Sequence, residues 1–121
     1  MDTPVKKSFA HPDETRPIKK GKVEVVHLRP DLPVMKVTFE PGWTWSECVK
    51  PVAGTESCQV PHLNYVLSGR IRIKFDDGTE LEFGPDEVAY LPPGHDAEVL
   101  GNEPFVSIDY QGAAIYAKAA P

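Results

Sequence analysis

Three residues with metal-ligating side chains stand in one short run, Glu56-Ser57-Cys58-Gln59-Val60-Pro61-His62, which leads directly into Tyr65-Val66-Leu67-Ser68-Gly69-Arg70. In an extended backbone, period-two alternation puts Glu56, Cys58 and His62 on one face. Carboxylate, thiolate and imidazole are among the strongest ligands a protein can offer a transition metal. Further along, Leu91-Pro92-Pro93-Gly94-His95 brings a second imidazole at a turn, and Cys48 offers a second thiol upstream. Cys48, Cys58, His62 and His95 together make a two-cysteine, two-histidine set suited to tetrahedral zinc, with iron the next choice. Soft thiolates disfavour magnesium, calcium and manganese. The ligand count decides the chemistry. Four ligands close the site around a structural ion, whereas three leave a position for water or substrate.

Each residue also has a plainer reading. A buried free cysteine is usually a small apolar core residue, and this applies to Cys48 and Cys58. His62 follows a proline and opens an apolar strand, where imidazole has no packing advantage over leucine, so ligation is the better reading. His95 could simply finish a turn in solvent. Glu47 and Glu56 are candidates for an oxygen ligand or a proton-transfer group, although glutamates near loops are mostly solvated. Trp43, Trp45, Tyr65, Phe75 and Tyr90 are mainly core residues by type. Those nearest an opening, Trp45 and Tyr90 among them, could stack on a planar ligand. A Ser46, His62 and Asp96 triad lacks a nucleophile elbow, and Gly54-Thr55 lacks the pattern of a phosphate loop.

The elements that must position these groups read as strands. Val23 to Leu28 and Val34 to Phe39 are rich in β-branched and aromatic residues, and Arg29-Pro30-Asp31-Leu32-Pro33 separates them as a turn. Trp43-Thr44-Trp45-Ser46 alternates as a further strand. Arg70 to Phe75 and Thr79 to Phe83 flank Asp76-Asp77-Gly78, a strong hairpin signal. Glu87 to Leu91, Asp96 to Leu100 and Phe105 to Tyr110 complete the series, and Ala113 to Ala120 suits either a short helix or a strand extension through Ile115 and Tyr116. Sustained helical spacing is absent. The 13 prolines and 9 glycines are spread along the chain, as expected for many short strands joined by turns.

Length and charge narrow the class. At 121 residues the chain suits one domain with its own core, here residues 22–121 behind an N-terminal arm of residues 1–21. The arm carries Lys6, Lys7, Arg16, Lys19 and Lys20 and reads as a solvated or dimer-crossing tail. A net charge of −5 disfavours nucleic acid and anionic membranes as partners. With neither a long apolar run nor a secretory leader, a cytoplasmic location is expected. Its thiols should then stay reduced, which favours ligation or burial over a disulfide.

Strands at regular spacing, with histidines near their turns, favour a closed barrel or two-sheet roll over an immunoglobulin-like sandwich. In these residues the chain resembles the cupin family, whose fold is a double-stranded β-helix, the all-β jelly roll. Tyr65-Val66-Leu67-Ser68-Gly69-Arg70 looks like the end of that family's first motif, with Gly69 as its closing glycine, and His62 falls where the family usually has a glutamate. Anchored on Gly69, the two upstream histidine positions fall on Glu56 and Cys58. Anchored instead on Pro41-Gly42, they fall on Cys48 and Lys50, with Val49 to Thr55 as an insertion. Pro92-Pro93-Gly94 matches the second motif, with Asp86 in place of its glycine. The motif's histidine position is Ala97 and its asparagine position Gly101, while His95 lies two residues before the former on the same strand face. More narrowly, GWTWSE, VKP, SC, PH, YVLSGR and PPGHD resemble small bacterial cupin-domain proteins.

The resemblance covers roughly residues 34 to 110 and implies a metal pocket for a small organic ligand in a homodimer. Three functions follow. The chain is a metal-dependent oxygenase or isomerase, a non-catalytic small-molecule sensor with a structural metal or none, or a barrel filled by its own side chains. The first ranks slightly ahead, because barrel interiors rarely gather cysteine and histidine without cause.

Overall fold

The computed structural model describes residues 3–114 together with Tyr116 and Lys118. Among the described residues, nine strands form two sheets that face each other across one core. The larger sheet contains β1 (Glu14–Ile18), β2 (Gly21–Arg29), β3 (Leu32–Phe39), β4 (His62–Ser68), β7 (Val88–Leu91) and β9 (Phe105–Asp109), in the order β1-β2-β3-β9-β4-β7. The smaller contains β5 (Arg70–Phe75), β6 (Glu80–Phe83) and β8 (His95–Leu100), in the order β6-β5-β8. Every pairing between these strands is antiparallel.

Alternation in the sequence becomes a core with two walls. Val23, Val25, Met35, Val37, Phe39, Val66 and Phe105 are buried on the larger sheet, and Ile71, Ile73, Phe83, Ala97 and Val99 on the smaller. The β5–β6 hairpin forms in the expected register, Lys74 opposite Glu80 and Ile73 opposite Leu81. Gly78 takes a φ of +91° at its turn, and Asp77 Oδ1 accepts from Thr79 N at 2.8 Å. Gly69, at φ +78°, lets β4 turn into β5 where a Cβ would lie 2.7 Å from Phe105 Cα. Only glycine fits that left-handed, crowded corner.

Two expectations need correction. Trp43-Thr44-Trp45-Ser46 does not start a strand. Thr44 makes one isolated bridge to Glu98 and then caps the short helix α1 (Trp45–Cys48), its hydroxyl accepting from Glu47 N at 3.2 Å. A second single turn, α2 (Lys50–Ala53), has Pro51 in its first turn and ends at Gly54, which has φ +76°. Local capping chemistry outweighs the alternation of the two tryptophans, and both indoles still reach the core. Second, residues 14–18, inside the stretch read as an arm, are β1, paired with β2 from Glu14 opposite Val25 to Ile18 opposite Gly21. Arg16 is buried there, its guanidinium donating to the Tyr116 carbonyl at 2.6 Å and to Glu14 at 2.6 Å. Of the two readings of the tail, the chain after β9 begins as a 3-10 turn, Gly112–Ala114; Ile115 and residues 117 and 119–121 lie outside the described residues.

Candidate metal centre

Three chain segments bring the candidate ligands together. His62 opens β4 with its side chain inward, following the alternation of His62, Asn64 and Val66. Cys58 lies just before β4 and forms an isolated bridge with His95. Cys58 N donates to the His95 carbonyl at 2.7 Å, and Gly94 N donates to the Cys58 carbonyl at 2.7 Å. Gly94, at φ +93°, turns the Pro92-Pro93-Gly94 corner that makes this possible. His95 therefore enters β8 beside Cys58, far away in sequence. Among the described residues, one donor atom each from Cys58, His62 and His95 lie within 4.8 Å of one another, and all three residues are buried.

The proton-bearing sides of both imidazoles are fixed. A carboxylate at neutral pH and a carbonyl can only accept, so His62 Nδ1–H donates to Asp109 Oδ2, and His95 Nδ1–H donates to the Pro92 carbonyl at 2.9 Å. That leaves Nε2 of each ring for other partners. His62 Nε2 lies 3.6 Å from Cys58 Sγ, and the two imidazoles meet edge to face at 5.5 Å. A ring held by a carboxylate on Nδ1 and free at Nε2 is the usual arrangement of a metal-ligating histidine.

Asp109 was not singled out by the sequence. It ends β9 on the inward face of Phe105, Ser107 and Asp109, and lies diagonal to His62 because Asn64 is its direct partner. Its second oxygen accepts from Gln111 N at 2.9 Å, Gly112 N at 3.0 Å and Leu63 N at 3.3 Å. Gly112 sits directly over the pair. A Cβ there would stand 2.7 Å from both Asp109 Oδ2 and His62 Nδ1, so the absence of a side chain is what lets the turn close over them.

The electrostatics follow from this geometry. Burial opposes charge on His62, but the bond to Asp109, and then that to Cys58, raise its pKa to about 9. Burial alone would push the Cys58 thiol up, yet hydrogen bonds from His62 and His95 bring it down to about 6. Asp109 is likewise held below its usual value against its burial, first by His62 and then by the Gly112 and Gln111 amides. Without metal, the group holds a thiolate against an imidazolium near neutral pH. A divalent ion would take the Nε2 proton's place. The donor set of one thiolate and two imidazoles thus fits a transition metal ion, and among the described residues it offers three donors rather than four.

The other candidates lie elsewhere. Cys48 is buried in α1 and stands outside the group of three. Glu47 is exposed and pairs with Lys19 at 2.9 Å, a hydrogen bond that lowers its pKa. Glu56 points to solvent beside Lys50 at 3.1 Å, so the alternation expected to align it with Cys58 fails at the bend before that residue. Tyr90 is 57% exposed on the outer face of β7, because the inward alternates are Ala89 and Leu91. Ser46 and Asp96 meet only through Ser46 N, which donates to Asp96 Oδ1 at 3.1 Å. Trp45 does line the cavity.

That cavity, about 40 Å³, lies between the sheets against His62 and His95. Trp43, Trp45, Asn64, Asp109 and Tyr116 share its wall with apolar side chains such as Met35 and Phe83. Tyr116 packs edge-on against His62 at 5.0 Å and is fully buried.

No family model matches the chain, and no curated protein does. Solved structures do. A Rhizobium leguminosarum protein of unknown function aligns with a TM-score of 0.64 and 20% identity, covering 92% of this chain and 99% of that one. A formate complex of Lactobacillus farciminis oxalate decarboxylase gives 0.60 and 18%, over 85% of this chain. This chain spans only 32% of that decarboxylase's length. The cupin domain of Schizosaccharomyces pombe Cnp3 gives 0.56 and 18%, over 78% of this chain and 66% of that one. The fold is therefore the cupin jelly roll that the sequence resembles. It carries a cysteine-and-histidine group where a metal can be held.

Proposed function

We propose that Cys58, His62 and His95 hold one transition metal ion, zinc first and iron next, in a cupin barrel that acts on a small organic molecule. The observation that carries this reading is the convergence of two Nε2 atoms and one thiolate whose outer sides are already tied down. With Cys48 outside the group, the protein supplies three ligands, the number that leaves a position open. Zinc bound there would supply Lewis-acid polarisation of a carbonyl or enolate oxygen, the chemistry of an isomerase, whereas oxygenase chemistry would need the redox-active iron. The chain's own residues do the rest: Asp109 orients His62, the Pro92 carbonyl orients His95, and the aromatic wall excludes water. Because a two-histidine, one-cysteine set with Met35 in the same cavity wall also suits copper, the test must cover copper.

The experiment is elemental mass spectrometry of the untagged protein. About one zinc, iron or copper per chain is expected for a three-ligand site. No metal after reductive reconstitution would return Cys58, His62 and His95 to a packing role and leave the second reading, a binding barrel without metal.

A homodimer is also proposed, now with a surface to support it. Leu63, Leu67, Val88, Tyr90 and Tyr110 are all exposed on the outside of the larger sheet, with Leu63 opposite Tyr90 on neighbouring strands. A contiguous apolar face of this kind marks an association site. Sedimentation equilibrium should give twice the chain mass for wild type and a shift to monomer for Val88→Asp; a wild-type monomer would refute the pairing.

A further inference from the structure

Two tryptophans that line the cavity each carry a buried donor without a partner. Nε1 of Trp43 and Nε1 of Trp45 are both buried without a hydrogen bond, and the residues are 1% and 2% exposed. Leaving an indole N–H unpaired inside a protein costs free energy, so a pair of them in one cavity calls for a partner. The wall does not supply one. Both Asp109 oxygens are taken, by His62 and by three backbone amides. Asn64 Oδ1 already accepts from Ser107 Oγ at 3.2 Å. The missing partner must therefore bring acceptor oxygens with it.

We infer that the cavity takes a small carboxylate, of formate or acetate size, with the indole N–H groups of Trp43 and Trp45 as its donors. Size sets the limit: one water needs roughly 10–15 Å³ by this measure, so the cavity has room for about three or four non-hydrogen atoms. Shape and polarity agree. A carboxylate offers two oxygens on one side, and its hydrogen or methyl group suits the apolar wall of Phe39, Ile71, Ile73, Phe83 and Phe105. The inference rests on the metal reading only in that an ion held by Cys58, His62 and His95 would lie beside the two imidazoles that line the cavity and could take one of the ligand's oxygens. Trp43 is further braced by stacking on Phe39, with ring centroids 3.8 Å apart, so its donor is held in place before any ligand arrives.

The chain has two tryptophans, so an amide-proton NMR spectrum contains two indole signals, and no more, to follow. Acetate and formate are titrated into metal-loaded and metal-free full-length protein, with chloride at matched ionic strength as the control. Both indole signals are expected to shift saturably with the carboxylates and not with chloride. Trp43→Phe and Trp45→Phe should each weaken the affinity roughly tenfold to a hundredfold, the worth of a hydrogen bond to a charged acceptor. Their metal content should stay at the wild-type value. Indole signals that ignore both carboxylates overturn the inference, as do two Phe variants that bind like wild type. Should the Phe variants fail to fold, the wild-type titration decides alone. Metal content of the same samples separates the two readings. Metal without an indole response fells the carboxylate alone, and a tryptophan-dependent response in protein that takes up no metal upholds the donors while the metal reading falls.

Discussion

His62→Ala should strip the protein of metal, from about one ion per chain to essentially none by elemental analysis after reconstitution. His62 meets Cys58, Asp109, His95 and Tyr116. Its Nε2 faces Cys58 Sγ at 3.6 Å, and its Nδ1 is held by Asp109. Without it, Cys58 and His95 remain as a two-ligand remnant, too few to retain an ion through dialysis. The substitution also leaves the Asp109 carboxylate buried without its cationic partner, a loss typically worth about 3–5 kcal/mol. The folded state of the variant is therefore checked by circular dichroism before its metal content is read. His95→Ala provides the companion measurement, because it leaves the His62–Asp109 pair intact and removes a ring bonded to the Pro92 carbonyl at 2.9 Å and to Cys58. Both folded variants should be metal-free. Full metal occupancy in folded His62→Ala would mean that the ion sits somewhere else.

Asp109→Asn is the second large effect, and it separates orientation from ligation. The amide occupies nearly the same volume but offers an oxygen or an NH₂ group where His62 needs an acceptor. If the NH₂ group meets Nδ1, the ring must take the other tautomer, with its proton on Nε2 and its donor facing the metal position. Metal affinity should fall about ten- to a hundredfold, the usual consequence of losing a ligand's outer partner. The His62 titration midpoint, followed by NMR in metal-free protein, should fall from about 9 towards the ordinary histidine value, since the Asp109 bond is the leading stabiliser of its charged form. Urea unfolding at neutral pH should show a loss of about 2–3 kcal/mol. A variant with wild-type metal affinity and an unmoved His62 midpoint would show that Asp109 does not hold the ring.

Much of this architecture is written in local pattern. The β5–β6 hairpin follows from Asp77-Gly78 between alternating strands, and the turn at Gly94 from its prolines. His62 is legible as a candidate ligand because it follows a proline and opens an apolar strand, where imidazole has no packing advantage, whereas His95 reads equally as the end of a turn. Cys58 and Cys48 could not be told apart from sequence. The choice depends on the Cys58–His95 bridge, a contact between segments with no local signal for each other. Alternation carried back from Cys58 puts Glu56 on the inward face, but the bend over residues 55–57 turns it to solvent. Trp43 and Trp45 alternate like a strand, yet Thr44 caps a helix, and a four-residue helix is too short to show a period. Asp109 was hidden for a different reason. Both faces of β9 carry apolar residues, Phe105 inward and Val106 and Ile108 on the other side, so alternation does not say which face is buried. Its place beside His62 depends on β9 pairing with both β3 and β4, which only the tertiary fold decides.

The guanidinium of Arg16, reaching from β1 to the Tyr116 carbonyl 100 positions away, has a consequence for how the site comes into being. Cys58 and His62 are near neighbours in the chain and can meet in an unfolded polymer. His95, Asp109, Gly112, Tyr116 and Arg16 join them only after long loops have closed, an entropic cost that must be met before any of these contacts rewards it. The complete site is thus expected to form late in folding. An ion bound by Cys58, His62 and His95 would tie together segments far apart in the chain, so its release would require β8 to part from the Cys58 segment.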